Sequence, residues 1–247
     1  MCIETEAELL ALREAGRVVR LALEAMRAAV AAGVTTVALD KVGARVLRAN
    51  GARSAPKLVY DFPGENCISV NDEIVHGVPS SKVLRDGDLV KLDVTVEKDG
   101  FMADAAISVP VGRVAARTLA LAEAAERAFH AALREVRPGR RTCDVGAAVE
   151  AAVAKRGFSV VRALTGHGIG RTIHEPPTVP NWADPTERAW LEDGMVITVE
   201  PIISAGSGEM VEDPDGWTLR TADGSLAAHF EHTLVVRKGA PLLLTAA

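Results

Sequence analysis

The stretch "GDLVKLDVTVEKDGFMADAAISV", residues 87–109, decides the fold, because its centre fixes how two strands meet. Asp99-Gly100 is a strong signal for a two-residue hairpin turn. Apolar residues run on either side of it, so the segments "DLVKLDVTVE" and "FMADAAISVPV" read as antiparallel strands. With a two-residue turn Lys98 faces Phe101 and Thr95 faces Asp104. Asp93 then shares a face with Thr95 and lies diagonal to Asp104. Diagonal neighbours are roughly 7–8 Å apart, a separation that lets two carboxylates converge on one metal region. A three-residue turn would shift the register and dissolve this pairing.

Working outward, "TEAELLALREAGRVVRLALEAMRAAVAAG" predicts a long amphipathic helix, with Thr5 as N-cap, Glu8 completing a capping box and Gly33 as the stop. "TVALDKVGARVLRANG" predicts a second helix ending at Gly51, and "NCISVND" a further strand. The order then recurs. "VAARTLALAEAAERAFHAALREV" and "TCDVGAAVEAAVAKRG" predict two helices, and strand-like segments follow from 158 onward. The segments 33–51 and 139–157 align without gaps, Gly33 on Gly139, Leu39 on Val145, Val46 on Ala152 and Gly51 on Gly157. This implies an α+β fold of two pseudo-symmetric halves, about 1–112 and 113–247. No Ser/Gly-rich linker separates them, so one composite domain with a shared cleft is expected, and sites often sit in such clefts.

Composition narrows the class. Hydrophobic residues at 48% and charged residues at 25% suit a soluble globular chain. A net charge of −5 argues against bulk nucleic-acid binding. Cys2, Cys67 and Cys143 form no Cys-x-x-Cys pair, so neither a thiolate zinc site nor a disulfide framework is expected, and a cytoplasmic location fits. The start "MCIETEAELL" reaches acidic residues at once and does not read as a signal peptide, and no apolar run is long enough to span a membrane.

Four acids interrupt apolar runs: Asp93 and Asp104 in the hairpin, Glu200 in "GMVITVEPII" and Glu231 in "HFEHTLVV". A lone Asp is usually turn chemistry or a solvated strand face. Four carboxylates on buried faces would repel one another. Two divalent cations would balance their −4. His167, in "LTGHGIGRTIHEPP" (164–177), adds one imidazole. An oxygen-rich set with one nitrogen suits Mn, Fe, Co or Zn. His174 in the same stretch can stand beside His167 as a hydrogen-bond donor to substrate, and "NDEIVHGVP" (71–79) supplies a third histidine, His76, before Gly77. The stretch lacks the Lys-Ser/Thr of a P-loop and the spacing of a dinucleotide fingerprint. His130 reads as an ordinary helix residue; His229 and His232 stay undecided.

At these residues the sequence resembles the methionine aminopeptidases, and in particular their type I bacterial form. The resemblance rests on "CISVNDEIVHGVP", "GDLVKLDVTV", "GFMADAAISVPVG", "TGHGIGRTIHEPPTVPNW", "MVITVEPII" and "DGWTLRTADGSLAAHFEHTLVV", which occur in family order over nearly the whole chain. It implies the pita-bread fold, two halves around a central antiparallel sheet, with a dinuclear metal site. It implies that Asp93 holds one metal, that His167 and Glu200 hold the other, and that Asp104 and Glu231 bridge both. His76 and His174 would contact the substrate and the tetrahedral centre, Glu200 would shuttle a proton, and Phe62, Cys67 and Trp217 would line the methionine pocket. Two positions depart from the pattern. Val59, in "KLVYDFPG", and Ile173 stand where the family commonly has aromatics, and both bear on the pocket wall.

His174 and Glu200 are only 26 positions apart, which leaves no room for the large insertion of the type II enzymes. No zinc-finger or proline-rich extension of some type I members is seen, and no further domain is expected ahead of residue 1, where proline-specific relatives usually carry one. The implied partners are nascent polypeptides at the ribosome, with no specific nucleic acid, no membrane and a monomeric state. A proline-specific aminopeptidase on the same fold is the competing enzyme. A binding module that has lost its chemistry is the competing non-enzyme.

Overall fold

The computed structural model describes residues 1–246. The chain runs α1 (Glu6–Ala29), α2 (Thr36–Ala49), β1 (Arg53–Ser54), α3 (Ala55–Tyr60), β2 (Cys67–Val70), β3 (Glu73–Val75), β4 (Leu89–Lys98) and β5 (Phe101–Pro110). It continues with α4 (Ala116–Ala132), α5 (Thr142–Ala154), β6 (Ser159–Val160), β7 (Gly166–Gly168), β8 (Glu175–Val179), β9 (Val196–Val199) and β10 (Ile202–Ser204). Five short strands complete it: β11 (Met210–Glu212), β12 (Leu219–Thr221), β13 (Ala227–His229), β14 (Glu231–Val235) and β15 (Leu242–Leu243).

The hairpin takes the expected register. Lys98 pairs with Phe101, Thr95 with Asp104 and Asp93 with Ala106. Asp99 and Gly100 both adopt positive φ, 52° and 83°, as a type I′ turn requires. The capping box of α1 also forms: Glu8 N–H donates to the Thr5 hydroxyl, and the Glu8 carboxylate accepts from Thr5 N–H. The helix stops short of Gly33, at Ala29, because Val30 turns to an extended conformation. In the aligned segments Thr36 and Thr142 each open a helix, and Gly33, Gly51, Gly139 and Gly157 all have positive φ.

The main sheet is antiparallel, in the order β1-β4-β5-β14-β9-β7-β8, with β2 added to β4 and β15 to β14. Strand alternation sorts side chains between its two faces. One face packs on helices. Val90, Leu92, Val94, Val96, Ala103 and Ala105 meet α1 and α2, and Ile197, Val199 and Leu234 meet α4 and α5. The other face carries Asp93, Asp104 and Glu231, with Glu200 just beyond the end of β9. Among the described residues no helix is long and apolar enough to cross a membrane.

Candidate metal centre and active site

Five neighbouring strands, β4, β5, β14, β9 and β7, bring one group each to the helix-free face. Asp93 on β4 and Glu231 on β14 flank the same residue, Ala106 of β5, from opposite sides. Asp104 lies two residues along β5 and so points the same way. The β14–β9 register pairs His232 with Val199, which sets Glu200 beside Glu231 at the next step. His167 on β7 completes the row. Its N–H donates to the Thr198 hydroxyl at 3.0 Å.

Glycine makes this approach possible. A Cβ on Gly168 would overlap the carbonyl of Pro176, and one on Gly166 would press on the carbonyl of Thr198, so β7 fits between β8 and β9 only without side chains there.

The five groups converge. One ligand atom each from Asp104, His167 and Glu231 lie within 4.8 Å of one another. His167 Nε2 is 3.5 Å from Glu200 Oε1. The other ring nitrogen, Nδ1, lies 2.9 Å from the carbonyl of Gly168, a partner that requires Nδ1 to carry the proton and leaves an Nε2 lone pair facing the carboxylates. Threonines hold the acids in place: the Thr198 hydroxyl donates to Glu200 Oε1 at 2.8 Å, and the Thr233 hydroxyl bonds the backbone of Asp104.

Electrostatically the cluster lacks compensation. Burial, and then neighbouring carboxylates, raise Asp93 and Glu231 well above the ordinary carboxylate range. Burial is also the chief cause for Asp104 and Glu200, which hydroxyl donors lower in part. Asp104 Oδ1 and Glu231 Oε1 are buried with no hydrogen-bond partner. Orphaned acceptors in so acidic a site fit divalent cations, which would neutralise the charge and occupy the free lone pairs.

His76 and His174 stand at the rim. Both are reachable by solvent yet ringed by protein, and this desolvation lowers both pKa values, that of His76 to about 4. The rings of His167 and His174 meet edge to face, with centroids 4.3 Å apart. Beside them is a cavity of about 90 Å³, lined by Tyr60, Phe62, Cys67, Ile173 and Trp217 and floored by Asp93 and Asp104. Phe62 and Trp217 pack edge to face at 5.2 Å. Phe62, Cys67, Trp217, His76, His174, Asp93 and Asp104 thus all line this one cavity.

Val59 does not belong to this wall. It is exposed, and the ring lining the cavity is that of Tyr60. The cause is local: α3 ends at Tyr60, and Asp61 takes a left-handed conformation (φ 58°) that turns Tyr60 and Phe62 to the same cavity.

His229, undecided from sequence, is a residue of the cluster. It is 2% exposed, and its Nε2 lies 3.3 Å from Glu231 Oε2 and 3.9 Å from Glu200 Oε2. Both ring nitrogens lack partners. His232, by contrast, faces the helices, where its ring packs on Phe129 and its Nδ1 lies 2.8 Å from the Thr245 hydroxyl. His130 is an exposed residue of α4.

Residues 11–238 match the model of Metallopeptidase family M24. The chain is 44% identical over 247 residues to methionine aminopeptidase 2 of Bacillus subtilis, covering 99% of each. It is 40% identical to a methionine aminopeptidase of Staphylococcus epidermidis, covering 99% of this chain and 98% of that one. Its fold superposes on the crystal structure of methionine aminopeptidase from Thermotoga maritima with a TM-score of 0.96 at 34% identity, covering all of both chains. The prolidase of Pyrococcus furiosus shares the fold at a TM-score of 0.81 and 20% identity, with 66% of its chain covered. The pita-bread fold expected from sequence is thus the fold of this chain, and the chain belongs to metallopeptidase family M24 and, within it, to the methionine aminopeptidases.

Proposed function

We propose that the chain hydrolyses the first peptide bond of newly made polypeptides and so removes the initiator methionine. We assign it to the type I form, acting as one catalytic domain of two halves, about 1–112 and 113–247. The observation that carries the reading is that an apolar cavity opens directly onto the carboxylate row. At about 90 Å³ it suits a single side chain, since pockets for whole drug-sized ligands run to roughly 300–1,000 Å³. The flexible thioether of methionine can fill such an aromatic-walled slot. A β-branched Val or Ile would meet the wall with a stiff χ1.

Two divalent ions, Mn, Fe, Co or Zn, are assigned to the carboxylates. Asp93 would hold one, His167 and Glu200 the other, and Asp104 and Glu231 would bridge. Bound there, they supply Lewis acidity toward a carbonyl and lower the pKa of water. The protein supplies the rest. Glu200, oriented by Thr198, moves the proton from the attacking water to the leaving amine. His76 and His174 donate hydrogen bonds to the carbonyl oxygen as negative charge grows there, each worth about 2.7–4 kcal/mol if well placed. The acidic floor favours a free α-amino group next to the scissile bond, which limits attack to the first residue. The working environment assigned is the cytoplasm, on chains emerging from the ribosome, with the enzyme a monomer.

The test is a panel of X-Gly-Met, Met-X-Met and X-Pro peptides at fixed metal. The expected result is release of Met alone, with small residues favoured in second place. Preference for X-Pro bonds would move the chain to the proline-specific enzymes of the same fold, and no cleavage of any peptide would leave a binding module.

A further inference from the structure

The ring of His174 has one hydrogen-bond partner among the described residues. That partner comes from the other half of the molecule. Tyr60 Oη lies 2.6 Å from His174 Nδ1, and the two rings are tilted against each other with centroids 5.7 Å apart. The backbone about His174 is fixed separately: Arg171 N–H and Thr172 N–H donate to Glu175, and the Thr172 hydroxyl donates to the carbonyl of His174. The main chain is therefore pinned from within its own turn, while the ring packs edge to face on His167 and takes its hydrogen bond from Tyr60.

A neutral imidazole carries one proton, on either nitrogen, and its hydrogen bonds choose which. If Nδ1 accepts the Tyr60 O–H, the proton must be on Nε2. His174 can then donate from Nε2. If Nδ1 kept the proton, Nε2 would present a lone pair and would repel a developing oxyanion. We propose that Tyr60 is a positioning residue for the peptidase reaction: its hydroxyl fixes His174 as the Nε2–H tautomer, with that N–H at the mouth of the methionine cavity. The proposal rests on the role assigned to His174 above. Tyr60 keeps 42% of its surface exposed, and partial desolvation by the cleft wall raises its pKa, so the phenol stays protonated and able to donate. The position of Tyr60 follows from α3, whose end at the left-handed Asp61 presents the ring to the cleft.

The test uses Tyr60→Phe, which keeps the ring and deletes the hydroxyl, alone and combined with His174→Ala, in the zinc-loaded enzyme. The expected result is about a tenfold fall in kcat for Tyr60→Phe, with KM within twofold and metal content unchanged, and no further fall in the His174→Ala background. Nitrogen-15 NMR of the His174 ring should show a protonated Nε2 in the parent and a mixed population in Tyr60→Phe. An unchanged kcat in Tyr60→Phe, with His174→Ala impaired, overturns the proposal and leaves the role of His174 standing. Equal losses in both backgrounds overturn it as well, because Tyr60 would then act on its own. A fully active His174→Ala removes the assigned role of His174, and the proposal with it.

Discussion

Asp104 and Asp93 face the same cleft but differ in position. Asp104 sits on β5, between the strand of Asp93 and the strand of Glu231, whereas Asp93 lies to one side of the row. Under the two-ion assignment proposed above, the central carboxylates would reach both metals and the flanking one only the nearer. Asp104→Asn and Glu231→Gln should therefore lower the affinity for both ions, and Asp93→Asn for one. Calorimetric titration of each purified variant with Mn checks this, and equal loss at both sites in all three would contradict the bridging assignment. His174→Ala should lose about 100-fold or more in kcat, as removal of a charge-stabilising donor does, and should keep its metal when assayed by elemental analysis. The Asp93–Asp104 pair was legible in the sequence because Asp-Gly admits few turn geometries and so fixes the register. Tyr60 and His229 were not. The facing of Tyr60 depends on a left-handed residue at the end of a six-residue helix, and that of His229 on the pairing of β13 with β10 and the break at Phe230 before β14. Neither leaves a periodic trace.

Among the elements, the helices were the most legible, because the α1 capping box and the Gly51 stop of α2 are local chemistry, although α1 ends before Gly33. Thr5→Ala should remove the α1 cap at a cost of about 1 kcal/mol. For a chain of this length that is roughly 2–4 °C in melting temperature, with peptidase activity unchanged. Strand β7 is a different case. Three residues carry no pattern to read, and its place between β8 and β9 depends on contacts from distant parts of the chain. Gly168→Ala would force β7 away from the carbonyl of Pro176 and carry His167 off the carboxylate row. The expected outcome is weakened binding of one metal with a near-native far-ultraviolet circular dichroism spectrum. Retention of both ions at parental affinity would show that β7 can give without moving the histidine.

At the scale of the molecule, the sheet separates two tasks. Its helix face buries the apolar residues that hold the fold, and its open face gathers acids that would otherwise oppose it. Ions binding only the folded chain should then stabilise it by mass action, about 2.7 kcal/mol at a hundred times the dissociation constant. Chelation should accordingly lower the melting temperature by roughly 5–10 °C. The alternation of helix pairs and strands made this architecture legible in outline. The cross-sheet order, in which β14 lies between β5 and β9, was not, because strand pairing over more than a hundred residues leaves no local signal. The most direct test of the whole account is stepwise metal restoration to the chelated enzyme, with Met-Gly-Met hydrolysis and bound metal measured on the same samples. The account predicts no turnover without metal and a rise in methionine release that follows occupancy of the carboxylate site by Mn, Fe or Co. Full turnover by a sample shown by elemental analysis to hold no metal would contradict it.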